Sequence, residues 1–98
     1  MARFDKQAVL AKIGATRMVP VFYHADLDVA KQVVKACYDG GVRAFEFTNR
    51  GDFAHEIFGE LVKYAAKECP EMAMGVGSIV DPATAALFLQ LGACFVVG

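Results

Sequence analysis

Short apolar runs alternate with amphipathic helical patterns along the chain, and this alternation limits the possible fold more than any other feature of the sequence. The apolar runs begin near residues 18, 42, 72 and 94, with a helical pattern between successive runs. Strands that are separated by helices pair in parallel through right-handed crossovers. The sequence therefore predicts a parallel α/β fold with the order helix, then β-α-β-α-β-α-β.

The first helix and the first strand are the least regular part of this pattern. Residues 5–13 have apolar positions at helical spacing, which predicts a short helix that ends near Gly14. Residues 18–23 form a compact apolar run that predicts a buried strand. Because Pro20 has no backbone N–H to donate, this strand is expected to have a free donor edge or a bulge.

Aspartates and glycines mark the ends of the other helices. An aspartate side chain accepts hydrogen bonds from the free N–H groups at a helix start, and glycine readily ends a helix. The predicted caps are Asp26 or Asp28 for the second helix, Asp52 for the third, and Asp81, followed by Pro82, for the fourth. Gly40-Gly41 and Gly92 are the predicted ends of the second and fourth helices, and Phe53 is predicted to begin the buried stripe of the third.

The strand predicted at residues 42–48 carries a charged side chain in unusual surroundings. Alternation places Val42, Ala44, Glu46 and Thr48 on one face, and Arg43, Phe45 and Phe47 on the other. An unpaired carboxylate among small apolar residues is costly, so Glu46 is a candidate for proton transfer. Arg50 follows four residues later, and a guanidinium binds carboxylates and phosphates bidentately. The alternative is a structural Glu46–Arg50 ion pair that only ties off the strand.

The carboxyl ends of the strands are the expected location of the chemistry, as in other parallel α/β folds. The groups delivered there are Tyr23 and His24, then Glu46 to Arg50, then Gly77 and Ser78. The stretch Gly75–Ser78 lets a backbone approach a ligand, with the Ser78 hydroxyl as a donor; a tight turn alone is the alternative. It is not a dinucleotide-binding fingerprint, because Val80 stands where the third glycine would be.

The histidines and cysteines suggest no further site. His24 and His55 are isolated in the sequence and are interpreted as surface or capping residues. Arg17 precedes the first strand and receives no role. Cys37, Cys69 and Cys94 lie more than twenty residues apart, so buried structural thiols are predicted and no metal site is expected.

Charge and hydropathy exclude two classes of partner. The net charge is −1 with both signs interspersed, so neither nucleic acid nor an anionic membrane surface is expected to bind. No apolar run approaches the roughly 20 residues of a membrane span, and the N-terminus has no signal-peptide core. Together with the odd number of cysteines, these features predict a cytoplasmic protein.

The position of the last apolar run suggests that the domain continues. The sequence ends at Gly98, directly after the fourth predicted strand. Four parallel strands with no further helix would leave two open edges. Residues 1–98 are therefore interpreted as the N-terminal half of a TIM (β/α)8 barrel, with one leading helix, about four strands and three crossover helices. A complete four-stranded open sheet is the alternative.

Several short stretches in order along the chain carry a family resemblance. They are Val19–Val21, Gly40–Arg43, Glu46–Arg50, Gly75–Ser78, Asp81-Pro82 and Leu91–Phe95. In these stretches the sequence resembles the 2-keto-3-deoxy-6-phosphogluconate (KDPG) / 4-hydroxy-2-oxoglutarate (KHG) aldolases. The resemblance implies a (β/α)8 barrel, usually homotrimeric, and a class I aldolase with no metal or other cofactor. Such enzymes split 2-keto-4-hydroxy acids into pyruvate and an aldehyde through a lysine Schiff base.

The resemblance also implies roles for single residues. Glu46 matches the acid/base that moves protons, and Arg50 matches the residue that holds the substrate carboxylate. Ser78 stands where the family commonly has threonine and keeps the hydroxyl that contacts pyruvate. The Schiff-base lysine of the family lies on the sixth strand, and no lysine of this chain falls at a predicted strand end. The 98-residue chain alone is therefore expected to be inactive.

Two other functions stay open at this point. A non-catalytic, flavodoxin-like or receiver-like binding module fits the α/β order, although a receiver would need an aspartate where this chain has Gly77-Ser78. Another phosphosugar barrel enzyme built from the same units also fits, because its phosphate-binding loop would lie in later units.

Overall fold

The computed structural model describes residues 2–98, and within that range it contains four helices and three strands. In chain order they are α1 (Lys6–Thr16), β1 (Val21–Phe22), α2 (Leu27–Asp39), β2 (Ala44–Thr48), α3 (Ala54–Glu68), β3 (Ala73–Gly77) and α4 (Pro82–Gln90). The predicted alternation of strands and helices is confirmed. None of the helices in residues 2–98 combines the length and apolar character needed to cross a membrane.

Aspartate side chains cap three of the helices. Asp5 accepts a hydrogen bond from the Ala8 N–H at the start of α1, at 2.8 Å. Asp26 caps α2 and Asp81 caps α4 in the same way, as predicted. These caps satisfy N–H groups that have no partner inside the helix, so they define where each helix begins.

Two helix boundaries differ from the predictions. Helix α1 continues past Gly14 to Thr16, and Arg17, with φ 54°, takes the left-handed position that ends it. Helix α3 begins at Ala54 with Phe53 as its N-cap, and no side chain caps it, so the prediction for Asp52 is wrong. Phe53 has φ 62° and is 65% exposed, because the left-handed turn directs its ring away from the core.

The strands form one parallel sheet with the order β1-β2-β3. Val21 pairs with Glu46, Glu46 pairs with Gly75, and Thr48 pairs with Gly77. Strand β1 is shorter than predicted and begins only after Pro20, whose carbonyl accepts the Glu46 N–H at 2.9 Å. The strand thus begins after Pro20, so the sheet needs no hydrogen bond from the N–H that proline lacks.

The fourth predicted strand is present as a segment that runs parallel to β3 but has few regular strand hydrogen bonds. Val76 and Val96 form a single parallel bridge outside the named strands. The Cys94 N–H donates to the Met74 carbonyl at 2.7 Å, and the Val97 N–H donates to the Val76 carbonyl at 2.9 Å. Residues 94–97 therefore lie beside β3 in the predicted place and direction, but form one bridge rather than a full strand.

The sheet has two faces that differ in character. The helix face carries Phe45, Phe47, Met74 and Val76, which belong to the buried core together with residues of α2, α3 and α4. Phe58 of α3 lies at the centre of this core, with its ring 6.3 Å from that of Phe47 and 5.4 Å from that of Phe88. The interior face carries Ala44, Glu46 and Thr48 from β2, and Gly75 and Gly77 from β3.

Helix α1 lies against the amino ends of the strands. The Lys12 ammonium donates to the backbone carbonyl of Glu71 at 2.8 Å and pairs with its carboxylate at 3.1 Å. Glu71 lies two residues before Ala73, where β3 begins, so this contact anchors α1 at the edge opposite the carboxyl ends of the strands.

Candidate active site

The carboxyl end of β2 is the centre of the candidate site. Its three principal side chains follow one another within five residues: Glu46 is half-buried, Thr48 is buried, and Arg50 is exposed. The next strand contributes Gly77 and Ser78 at the same edge. The structure therefore brings the predicted residues Glu46, Arg50 and Ser78 to one edge of the sheet.

The Glu46 carboxylate lies directly against Gly77 on the interior face. A Cβ atom at residue 77 would collide with Oε2 and Cδ of Glu46, so a side chain there would displace the carboxylate. Gly75 has a similar relation to the Phe95 ring, which occupies the space that its Cβ would need. Gly77 and Gly75 therefore leave the space that the Glu46 carboxylate and the Phe95 ring occupy. The sequence pattern alone did not reveal this role.

Glu46 and Arg50 do not form the ion pair considered as an alternative. Within residues 2–98, neither side chain makes an ion pair or a side-chain hydrogen bond, whereas exposed pairs such as Lys35–Asp39 do. Both charges therefore remain available to a ligand. A carboxylate and a guanidinium in this state can exchange a proton with one part of a small acid and bind its carboxylate.

Backbone hydrogen bonds hold the turn between these two charges. The Asn49 N–H donates to the Gly77 carbonyl, and the Arg50 N–H donates to the Thr48 carbonyl, each at 2.9 Å. Gly51 completes the turn beneath the Tyr23 hydroxyl, which would collide with any side chain at residue 51. The turn is thus bonded to the end of β2 and to β3, which holds the backbone of Arg50 at the carboxyl edge of the sheet.

Thr48 has a buried hydroxyl that the sequence pattern did not predict. Its side chain is 2% exposed, and its Oγ1 atom is shielded from solvent without a hydrogen-bond partner in residues 2–98. A buried hydroxyl without a partner destabilises a fold by about 1–3 kcal/mol. The alternation of β2 places Thr48 on the face of Glu46, which was the only signal that could have identified it.

Ser78 follows Gly77 as an exposed residue in the left-handed region, with φ 61°. Its hydroxyl makes no hydrogen bond within the described range 2–98. The stretch 75–78 is therefore both a turn and a support for Glu46, and the serine hydroxyl stands free at the carboxyl edge. This is compatible with a donor to a bound anion.

The remaining polar and sulfur-containing candidates have structural roles. His24 accepts the Asp26 N–H at 2.9 Å and thereby supports the start of α2, as a capping residue was predicted to do. Burial raises the pKa of the Cys69 and Cys37 thiols, which suits inert packing residues. Cys69 is buried as predicted, whereas Cys37 and Cys94 are only partly buried. No group of metal-binding side chains occurs in residues 2–98.

Comparisons with known proteins show which family and which fold the chain resembles. A sequence model of the KDPG and KHG aldolases matches residues 9–98. The KHG/KDPG aldolase of Escherichia coli strain K12 is 34% identical over 80 residues, which cover 82% of this chain and 36% of that protein. The KDPG aldolase of Zymomonas mobilis superposes with a TM-score of 0.68 at 26% identity, over 80% of this chain and 35% of that one.

A third comparison concerns the fold alone. The KDPG aldolase of Legionella pneumophila, solved with pyruvate captured as a covalent carbinolamine, has a TM-score of 0.69 at 24% identity. The superposition covers 80% of this chain and 36% of the Legionella pneumophila protein. The predicted fold class, a portion of a (β/α)8 barrel, is confirmed by these likenesses. The chain spans about a third of the length of each of these three proteins.

Proposed function

The chain belongs to the KDPG and KHG aldolase family, and from this we propose that it is the N-terminal half of a class I aldolase barrel, with residues 1–98 as its first units. The proposed reaction splits a 2-keto-4-hydroxy acid, such as 2-keto-3-deoxy-6-phosphogluconate or 4-hydroxy-2-oxoglutarate, into pyruvate and an aldehyde. This family membership leaves no support for a flavodoxin-like or receiver-like module.

One observation carries the proposal: Glu46 presents an unpaired, half-buried carboxylate on the interior face, seated on a glycine at the carboxyl edge. In cleavage, the bond between C3 and C4 breaks and the C4 hydroxyl becomes the aldehyde carbonyl. We assign Glu46 the proton that this hydroxyl loses and the proton that C3 gains as pyruvate forms. A positioned carboxylate contributes about 10²–10⁴-fold to such a transfer.

Arg50 and Ser78 would bind the keto acid in this scheme. The exposed and unpaired Arg50 guanidinium suits bidentate binding of the substrate carboxylate. The Ser78 hydroxyl stands at the end of the neighbouring strand and donates a further hydrogen bond to the same acid. Both groups bind one end of the substrate, so the reacting carbons are directed towards the interior face and Glu46.

The Schiff-base lysine of the proposed mechanism lies outside this chain. Every lysine in residues 2–98 belongs to a helix: Lys6 and Lys12 to α1, Lys31 and Lys35 to α2, Lys63 and Lys67 to α3. No lysine in residues 2–98 therefore lies at a strand end. We propose that a later strand supplies the amine that attacks the substrate ketone, and that residues 1–98 alone are inactive.

The family resemblance implies the oligomeric state, and the charge, hydropathy and cysteine count of the sequence predict the compartment and the kinds of partner. We propose a homotrimer in the cytoplasm that acts on a small keto acid and uses neither nucleic acid nor a membrane as partner.

Borohydride trapping with labelled pyruvate, combined with a turnover assay, tests the proposal. The full-length protein is expected to form a stable covalent adduct, and the 98-residue chain is expected to form none. An adduct on the 98-residue chain would contradict the assignment of the lysine to a later strand, and its absence from the full-length protein would contradict the aldolase assignment.

The role of Glu46 has its own test in the full-length protein. Glu46→Gln is expected to slow cleavage by about 10²–10⁴-fold with the fold unchanged, because the amide cannot accept and return the proton. Glu60→Gln is the matched control, since Glu60 lies exposed on α3 and pairs only with Lys63. Turnover of Glu46→Gln close to that of the wild type would show that another group moves the proton.

A further inference from the structure

Thr48 is a buried polar residue of the interior face that the proposed mechanism does not use. Its side chain is 2% exposed, and Oγ1 has no hydrogen-bond partner in residues 2–98. Valine has nearly the same shape and the same preference for strands, but no hydroxyl to satisfy. Packing alone therefore gives no reason for a threonine at this position, and the unsatisfied hydroxyl needs an explanation.

The position of Thr48 relative to Glu46 supplies such an explanation. The two residues are separated by one residue on β2, so their side chains share the interior face. Gly77 is the direct cross-strand partner of Thr48, and the Glu46 carboxylate lies against that same Gly77. The hydroxyl and the carboxylate therefore flank one glycine from two sides.

A contact between the Thr48 hydroxyl and the Glu46 carboxylate would require movement of the two side chains and none of the backbone. The Asn49 N–H donates to the Gly77 carbonyl and the Arg50 N–H to the Thr48 carbonyl, each at 2.9 Å, and these bonds hold the backbone at the end of β2 beside the glycine. A threonine has alternative staggered χ1 rotamers, and its hydroxyl hydrogen rotates freely. A contact between the two groups would therefore form by rotation about single bonds of Thr48 and Glu46.

We propose that Thr48 is a positioning residue for Glu46, whose hydroxyl donates a hydrogen bond to the Glu46 carboxylate in the assembled active site. This inference rests on the proposed function, since it assigns Thr48 a part in the same proton transfer. The bond would hold one carboxylate oxygen and leave the other directed at the substrate. Such a contact acts on turnover more than on substrate binding, which Arg50 and Ser78 provide.

The test compares Thr48→Val, which removes only the hydroxyl, with Thr48→Ser, which keeps it, in the full-length protein. Thr48→Val is expected to lower kcat about tenfold, as for the loss of one hydrogen bond to a charged group, with KM within about twofold. Thr48→Ser is expected to retain most of the turnover. The thermal stability of Thr48→Val should stay close to that of the wild type, because valine keeps the shape and the strand preference of threonine.

A spectroscopic measurement makes the test independent of turnover. In protein labelled with ¹³C at the glutamate carboxyl carbon, the Glu46 signal is identified by its loss in Glu46→Gln. This signal is expected to move in Thr48→Val and to stay in place in Thr48→Ser. If Thr48→Val does not fold, Thr48→Ala removes the same hydroxyl without added bulk and takes its place.

The outcomes separate this inference from the proposed function. Unchanged kcat and an unchanged Glu46 signal in a stable Thr48→Val protein would overturn the inference and leave the aldolase assignment standing. A wild-type protein without aldolase activity, but with a Glu46 signal that responds to Thr48→Val, would overturn the proposed function and support the contact. Equal losses of turnover in Thr48→Val and Thr48→Ser would also overturn the inference, because the hydroxyl would then not be the cause.

Discussion

The two faces of β2 differ in what they carry: apolar core residues lie on one, and polar site residues lie on the other. On the helix face, Phe45 and Phe47 are 0% exposed and lie in the aromatic core with Phe58. On the interior face, Glu46 is unpaired and half-buried, and the Thr48 hydroxyl is buried without a partner in the described residues. Five consecutive residues thus place buried core residues on one face, and polar groups without a partner in residues 2–98 on the other.

This contrast separates the sources of stability and chemistry. The helix face is covered by α2, α3 and α4 of the same chain, so its residues stabilise the fold through apolar burial. The interior face holds polar groups that cost stability unless a ligand or further side chains satisfy them. Substitutions on the helix face should therefore alter unfolding, and substitutions on the interior face should alter turnover.

The largest expected effect comes from the helix face. Phe58→Ala removes a fully buried ring that contacts Phe47 and Phe88, and should lower the free energy of unfolding of the full-length protein by about 3–5 kcal/mol. Denaturant unfolding measures it. Phe53→Ala is the matched control, because Phe53 is 65% exposed and its loss should change stability by less than about 0.5 kcal/mol. Similar losses in both variants would contradict the described core.

A smaller effect is expected from the interior face, and it should appear in turnover. Gly77→Ala places a methyl group where the Glu46 carboxylate lies, so the carboxylate must move, and kcat should fall about 100-fold. Steady-state kinetics of the full-length protein measure this.

Two other glycines sharpen the test of Gly77. Gly75→Ala collides with the Phe95 ring, so it should destabilise the packing of residues 94–97 rather than displace Glu46. Gly14→Ala adds the same methyl group to α1 where nothing lies within 4 Å, and should leave turnover unchanged. If Gly77→Ala turned over as fast as Gly14→Ala, the contact between the Glu46 carboxylate and Gly77 would have no functional importance.

The smallest expected effect concerns the helix layer and its dependence on pH. The backbone N–H of Thr84, followed by its hydroxyl, lowers the pKa of the Asp81 carboxyl below its ordinary value of 3.8. The charged cap therefore stabilises α4 above about pH 4, and this contribution is lost as the pH falls through the lowered pKa.

Asp81→Asn isolates this contribution, since asparagine also caps helices but carries no charge. The melting temperature of the wild type should exceed that of Asp81→Asn at pH 6, and the difference should shrink below pH 4. Turnover at neutral pH should be equal in both proteins. A difference in melting temperature that did not depend on pH would show that the charge of Asp81 is not the stabilising feature.

Local sequence signals predicted most of the elements correctly. Asp26 and Asp81 cap the helices that their positions indicated, and the spacing of apolar residues identified the strand–helix order. The alternation of β2 correctly placed Glu46 on a face with Ala44 and opposite Phe45 and Phe47. These predictions succeeded because caps and periodicity depend on neighbours within a few residues of the chain.

Two predictions failed although the local composition supported them. Asp52 has the composition of a cap, but the turn that begins at Gly51 under the Tyr23 hydroxyl shifts the start of α3 and exposes Phe53. Residues 94–97 have the composition of a strand, but form only one bridge with β3. At Asp52, a contact between residues distant in the sequence outweighed the local preference.

The sequence by itself determined that this chain is a parallel α/β protein with a carboxylate at the end of its second strand. Only the tertiary structure decided what surrounds that carboxylate. Glu46 rests on Gly77, and Gly77 faces Thr48, because the register between β2 and β3 brings together residues some thirty positions apart. Periodicity specifies the face on which a side chain lies, whereas cross-strand register specifies its neighbours, and register depends on the packing of the whole sheet.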